Sequence, residues 1–239
     1  MIIAMHTMTV ITNYDGCKKL ERLLTLWDEV AHQEKGKFFR TTIDFKTQST
    51  TMVIPRGFPL GWLKSELRNH TYKTAGLTYK PATIDINSTF EPRDRQQEEA
   101  LGFLADNAYL GRLTLNLRTD EGKTYVALKH ICDNKTRAMI IVHNTLVMEQ
   151  WLLRIQTLTD IKLEEIGILK GRESIDKKKI DGKKIFIAIH RTLESVIEND
   201  PRRLDKFCKD HGIGIKVYDE AHFELKSIFT IDSFTDVPF

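Results

Sequence analysis

No stretch of this 239-residue chain supplies the roughly 18–20 uninterrupted apolar residues that a membrane-spanning helix needs. Cysteine is scarce. Cys17, Cys132 and Cys208 lie far apart with no C-x-x-C pair, which argues against a disulfide framework and a cysteine zinc site. The 8 histidines show no H-x-x-x-H spacing, so a histidine zinc site is not expected either. Neither sign of charge dominates: 36 basic against 33 acidic residues leave a net charge of +3, which permits an anionic partner without requiring one. The opening Met1–Ile11 is apolar but lacks a basic lead-in and a small-residue cleavage site, unlike a secretory signal. With 41% hydrophobic residues, the chain has enough apolar material for one large domain or two modest ones. It reads as a soluble protein of a reducing compartment, the cytoplasm.

Glycine and proline are also sparse, at 13 and 6, so hydrophobic period has to reveal the organisation. The spacing predicts a strand over Ile2–Ile11 and an amphipathic helix over Cys17–His32, with Leu20, Leu23, Leu24, Trp27 and Val30 on one face. Phe38–Phe45 and Thr50–Ile54 alternate as hairpin strands do. Leu60–Leu67 reads as a short helix and Thr78–Ile86 as a strand, which gives a small α+β domain over residues 1–88. From residue 89 the texture changes. Strands over Arg112–Leu117, Ala138–Val142, Leu163–Leu169, Lys184–Ile189 and Ile213–Tyr218 alternate with helices over Arg93–Asn107, Lys123–Cys132, Thr145–Leu158 and Pro201–His211. Continuous apolar strands between helices predict an α/β fold, a parallel sheet covered on both faces. Its ligands bind at the carboxyl ends of the strands.

The loop after Arg112–Leu117 reads Arg118-Thr119-Asp120-Glu121-Gly122-Lys123-Thr124 and opens a helix. Inward backbone N–H groups, a helix N-terminus, a compact cation and a hydroxyl for magnesium are what a triphosphate requires. Gly122, Lys123 and Thr124 supply them. The full phosphate-loop consensus would place its first glycine at position 117, where Leu117 stands. The last apolar strand ends in Asp219-Glu220-Ala221-His222. Adjacent carboxylates at the tip of a buried strand are costly without a cation, and a magnesium nucleotide provides one. Upstream, Pro92–Leu101 sets Gln96 at a helix start, and an amide can pair with both edges of adenine.

This set resembles superfamily 2 DNA helicases and translocases, especially UvsW-like phage helicases and their RecG and XPB relatives. The resemblance covers roughly residues 90–239 and implies a RecA-like first motor domain that uses ATP and Mg2+ to act on DNA. It gives Arg93 and Gln96 to the adenine, Thr119, Gly122 and Lys123 to the phosphates, and Thr124 and Asp219 to magnesium. Glu220 activates water and His222 couples the nucleotide to motion. Met139–Leu146 with Gln150-Trp151 resembles motif Ia, and Ile187–Leu193 the next strand-end motif, which puts Asn144, Thr145, Arg191 and Thr192 on DNA. Where the family usually has glycine, an aromatic and a proline, this chain has Asp120, Arg95 and His143.

The resemblance further implies a strand carrying motif III, between the phosphate-loop strand and the Asp219 strand. It also implies a second RecA-like domain, from a longer chain or a separate polypeptide. No Ser/Thr-Ala-Thr motif follows His222, so a gap in the sheet is expected there. Two other readings compete. One is a motor remnant that holds DNA or a partner without turnover. The other is a metal-dependent nuclease built on Asp44-Phe45-Lys46 with Asp28 or Glu29. Lys177–Lys179 and Lys183-Lys184 form a basic cluster suited to DNA phosphates or to plain solubility, and Pro55-Arg56-Gly57 reads as a structural turn.

Overall fold

A computed structural model describes residues 2–4, 7–12, 14–28, 33–37, 39–44, 49–55, 65, 70–74, 80–107, 112–117, 121–176, 182–221 and 231. In the amino-terminal part, β1 (Ile2–Ala4) and β2 (Thr7–Thr12) precede α1 (Tyr14–Leu23), β3 (Thr25–Asp28), β4 (Gln33–Lys37), β5 (Arg40–Asp44), β6 (Ser49–Pro55) and β7 (His70–Thr74). Four of these strands form an antiparallel sheet in the order β5-β6-β2-β7, and β3 pairs with β4 separately. The expected hairpin is β5 with β6. The expected helix over Cys17–His32 stops at Leu23, and Trp27 lies on β3 instead. Thr25, whose branched side chain favours a strand, donates its hydroxyl back to the Glu21 carbonyl at 2.6 Å where the helix ends. The Leu60–Leu67 helix falls outside the described residues except at Ser65.

The remainder is built from α2 (Arg95–Asn107), β8 (Arg112–Thr114), α3 (Lys123–Asn134), β9 (Ala138–Val142), α4 (Thr145–Leu158), β10 (Ile166–Leu169), β11 (Ile185–Ile189), α5 (His190–Asn199), α6 (Pro201–Asp210) and β12 (Ile215–Tyr218). The sheet order is β10-β11-β9-β12-β1-β8, and β10, β11, β9 and β12 run parallel without interruption. Alternate residues feed two cores. Ala138, Ile140 and Val142 join Ile187 and Val217 beneath α3 and α4, while Met139, Ile141 and Phe186 meet Leu193, Leu204 and Phe207 of α5 and α6. This is the predicted three-layer α/β arrangement. Helix α5 is an addition to the expected elements, because its first turn directly continues the apolar strand β11. Cys132 is buried and desolvation pushes its thiol up to about 12, so it serves packing and not nucleophilic chemistry.

Two departures concern the junction of the halves. Ile2–Ile11 is not one strand: Ile2–Ala4 leaves the amino-terminal sheet and enters the larger one, antiparallel between β12 and β8. The slot expected to stand empty is therefore occupied by this chain's own residues. Of the strand expected over Thr78–Ile86, residues 80–86 are described, and they form no strand of the small domain. Residues 80–90 lie along the larger body, with Ile84 and Ile86 in its core. Backbone bonds from Ala82 N–H to Gly212 O (2.8 Å), Ile84 N–H to Lys135 O (2.9 Å) and Thr89 N–H to Leu158 O (3.0 Å) fix the segment. Gly212, at φ 60, lies so close to Ala82 that an added Cβ would come within 2.8 Å of its backbone nitrogen.

In β1, Ile3 pairs with Val217 on one side and Leu113 on the other. Proline lacks the N–H that an internal strand must donate, so Ile3→Pro is expected to destabilise the protein by about 1–3 kcal/mol. Urea unfolding followed by circular dichroism measures this. An unchanged midpoint would place Ile2–Ala4 outside the sheet.

Candidate functional site

Strand β8 leads through residues 115–122 into α3, and β12 ends at Asp219 and Glu220, so both tips open on the carboxyl edge of the sheet. Gly122 precedes α3 with φ 83, a left-handed conformation that glycine adopts without a Cβ clash. A second constraint acts on it: a Cβ there would sit 2.1 Å from Nε2 of Gln97. Lys123 and Thr124 form the first turn of α3, and the Gly122 carbonyl accepts the Val126 N–H at 3.0 Å. Lys123 Nζ stands 3.7 Å from Oε1 of Glu220, with both side chains partly open to solvent.

Asp219 and Glu220 are held very differently. The Asp219 N–H donates to the Ile141 carbonyl at 3.0 Å, which continues the β12–β9 ladder by one residue. Its Oδ2 accepts the indole N–H of Trp151 at 2.7 Å. Glu220 has turned out of the strand, at φ 49. A cleft of about 430 Å³ brings together Gly122, Lys123, Thr124, Asp219, Glu220 and Arg93, with Tyr125, Gln150 and Arg154 on its walls. A smaller cavity of about 390 Å³ continues between Thr124, Asp219 and the Trp151 side of α4. The donor set is of the kind magnesium takes, a hydroxyl and a carboxylate beside room for phosphate oxygens. The turn at Gly122 opens the N-terminus of α3, whose unpaired N–H groups suit a phosphate instead.

The glutamine hydrogen-bonded to this loop is Gln97, next to Gln96, the residue expected at the adenine. Gln97 is 2% exposed; its Oε1 accepts the Arg93 N–H at 2.9 Å and its Nε2 donates to the Glu121 carbonyl at 3.3 Å. Gln96 is exposed and lines a hollow with Glu99, Phe103, Leu117 and Glu121. The reason is helical period: the buried positions of α2 are Gln97, Ala100 and Leu104, and Gln96 lies off that stripe. Asp94 caps the helix by accepting the Gln97 N–H at 3.0 Å, and that hydrogen bond is the leading cause that lowers its carboxyl below the usual range. Arg93, Gly122, Lys123, Thr124, Asp219 and Glu220 are thus brought together. Thr119 and His222 lie outside the described residues, as does Asp120.

The expected DNA contacts stand at the tips of the neighbouring strands. Asn144 caps α4, its side chain accepting the Val147 N–H at 2.9 Å, and Thr145 follows it half-buried. Thr192 is buried, and its hydroxyl accepts the Gly171 N–H at 3.1 Å, while Arg191 is exposed. Asn144 and Thr192 therefore carry structural work of their own. The Lys177–Lys179 cluster and Pro55-Arg56-Gly57 lie outside the described residues except for Pro55, and Lys184 pairs with Glu165 at 2.8 Å. Asp44 ends β5 in the four-stranded sheet, whereas Asp28 ends β3 in a separate pair, and Glu29 and Lys46 are not described. Among the described residues no three His, Cys, Asp or Glu side chains gather as a metal site, and no helix is long and apolar enough to cross a membrane.

Residues 89–229 match the family model described as type III restriction enzyme, res subunit. No curated protein matches the chain.

Beneath the site, His190 opens α5 with 1% exposure and lies against Tyr218, the ring centroids 5.8 Å apart. Burial, with a lesser contribution from the charge of His143, depresses its value from 6.5 to about 4. Protons therefore bind the unfolded chain first as the pH falls. His190 is expected to cost roughly 3 kcal/mol of stability progressively between about pH 6.5 and about pH 4, and nothing above that window. Urea midpoints measured across this range should fall less steeply for His190→Phe than for the wild type; equal slopes would remove this assignment.

Proposed function

Because the chain belongs to the type III restriction enzyme res-subunit family, whose domains are ATP-hydrolysing motors of the helicase type, we propose that residues 89–239 work as the first RecA-like motor domain of an ATP-dependent DNA helicase or translocase. The supporting observation is the convergence of Lys123 and Thr124 with Asp219 and Glu220 in one cleft, Lys123 Nζ lying 3.7 Å from Glu220 Oε1.

Thr124 and Asp219 would hold magnesium, which would supply charge neutralisation on the terminal phosphates. Lys123 places a compact cation on the same phosphates, and the N–H groups at the start of α3 face them. Lys123 then exchanges Glu220 for phosphate, which frees the Glu220 carboxylate to orient the attacking water and accept its proton. Gln97 holds the loop to the start of α2 and leaves Arg93 to face the base. A second RecA-like domain, from a longer chain or another polypeptide, would close the cleft and supply the remaining cation. DNA would cross the strand tips at Asn144, Thr145, Arg191 and Thr192, with His222 relaying the nucleotide state. The UvsW-like resemblance extends the reading to branched DNA in the cytoplasm of a host cell. The amino-terminal residues, roughly 1–88, would then select substrate.

ATP hydrolysis in the presence of linear and branched DNA tests the reading. Lys123→Ala is expected to abolish binding of a fluorescent ATP analogue. Glu220→Gln should retain binding and lower turnover about 10²-fold or more. A wild-type protein that neither binds the nucleotide more tightly than Lys123→Ala nor exceeds its hydrolysis would defeat the motor assignment. Magnesium-dependent DNA cleavage lost in Asp44→Ala would favour the nuclease instead.

The two glutamines give an independent check. Gln97→Ala removes the bond to Glu121 O and is expected to weaken nucleotide binding roughly tenfold. Gln96→Ala should leave it near wild type. Fluorescence titration distinguishes them, and the reverse order would restore Gln96 as the working residue.

A further inference from the structure

Trp151 lies on the inner stripe of α4 with Met148, Ile155 and Leu158, and it is only 3% exposed. A buried indole carries one donor and no acceptor, so its N–H needs an acceptor within reach. The acceptor is Oδ2 of Asp219, at 2.7 Å. Apolar packing alone would have been satisfied by phenylalanine or leucine at this position. The contact is also reinforced from the backbone: Asp219 N–H bonds to Ile141 of β9, and β9 leads directly through Asn144 into α4. One strand-to-helix unit thus grips Asp219 twice, by main chain and by side chain. The grip engages Oδ2, and Asp219 lines the same cavity as Thr124.

We propose that Trp151 is a positioning residue for the divalent cation: its indole N–H orients the Asp219 carboxylate towards the metal of the bound nucleotide. The inference rests on the reading of Asp219 as the metal-holding carboxylate. It assigns to the β9–α4 unit a duty at the nucleotide besides its place beside the expected DNA path. A carboxylate free to rotate would have to be ordered when the metal arrives, whereas this one is ordered beforehand. Rotational ordering is a cost borne by metal affinity, so the effect should appear in the concentration of Mg2+ required and not in nucleotide recognition as such.

Trp151→Phe keeps the aromatic packing and removes the donor. Binding of a fluorescent ATP analogue is titrated with Mg2+ for the wild type, Trp151→Phe, Asp219→Asn and the double variant. The expected result is a half-saturating Mg2+ concentration raised about tenfold in Trp151→Phe, with affinity for metal-free nucleotide unchanged. Adding Trp151→Phe to Asp219→Asn should then change nothing further. A purely structural tryptophan would lower the melting temperature and leave the Mg2+ requirement alone, and that outcome overturns the proposal. Should Trp151→Phe fail to fold, wild-type protein labelled with 5-fluorotryptophan gives a second readout from its 3 tryptophans. One 19F resonance should move on addition of Mg2+ to the ADP complex, beyond any change from ADP alone, and this movement should vanish in Asp219→Asn. No metal-dependent movement overturns the proposal. If the wild type binds Mg2+–nucleotide and Trp151→Phe behaves identically, this inference alone falls. If the wild type binds no Mg2+–nucleotide, the reading of Asp219 falls with it.

Discussion

The tips of β8 and β12 have to lie two strand positions apart, and everything at the candidate site follows from that spacing. Neighbouring strands sit about 4.8 Å apart, so a single intervening strand sets the two tips roughly 10 Å from each other. A lysine extended from one side and a glutamate from the other can then approach to 3.7 Å, as Lys123 and Glu220 do. Without a strand between them, β8 and β12 would each expose a row of unpaired backbone groups in the middle of the sheet. Ile2–Ala4 fills that position in the antiparallel sense. Three residues at the amino-terminal end thereby determine the width of a site built from residues more than a hundred positions away.

The same insertion ties the two halves of the molecule. Ala4 pairs with Lys216 and Arg112 at the amino ends of the parallel strands, and β2 begins only three residues later in the other sheet. Residues 80–90 return along the larger body, with Ile84 and Ile86 in its core. The chain therefore crosses between the parts twice, and both crossings are anchored by backbone hydrogen bonds. A change in the amino-terminal sheet has a direct covalent route to the strand that separates the phosphate loop from the paired carboxylates.

What was legible in the sequence was local. β9 and α4 could be read to the residue, because Ala138–Val142 is continuously apolar and Asn144 is a strong helix cap. The turn into α3 at Gly122 and the strand end at Asp219 could be placed for the same reason, each being a short run at a strand end. What depended on partners far along the chain was not. Nothing within Ile2–Ile11 says that its first residues pair with Val217 and Leu113 while the rest pair with β6 and β7. Trp27 fits a helical stripe as well as a strand, and only the pairing with β4 decides. The two glutamines differ in kind. Spacing from Ala100 and Leu104 marks Gln97 as the inward one, whereas Gln96 carries the resemblance to the adenine-reading element.

The adjacent carboxylates show how one strand tip can provide two chemistries. Asp219 remains in register with β9, bonded to Ile141 by its N–H and to Trp151 by its side chain, so its geometry is fixed before any ligand arrives. Glu220 has left the ladder in a left-handed turn, and its partner is a lysine about as exposed as itself. An ion pair this open contributes on the order of 0–1 kcal/mol. A phosphate chain bearing several negative charges would outcompete it readily and draw Lys123 away. The rigid carboxylate suits a metal, whose affinity depends on a preset ligand direction. In the proposed motor, the loosely paired one would suit a water molecule gripped only after phosphate has displaced the lysine.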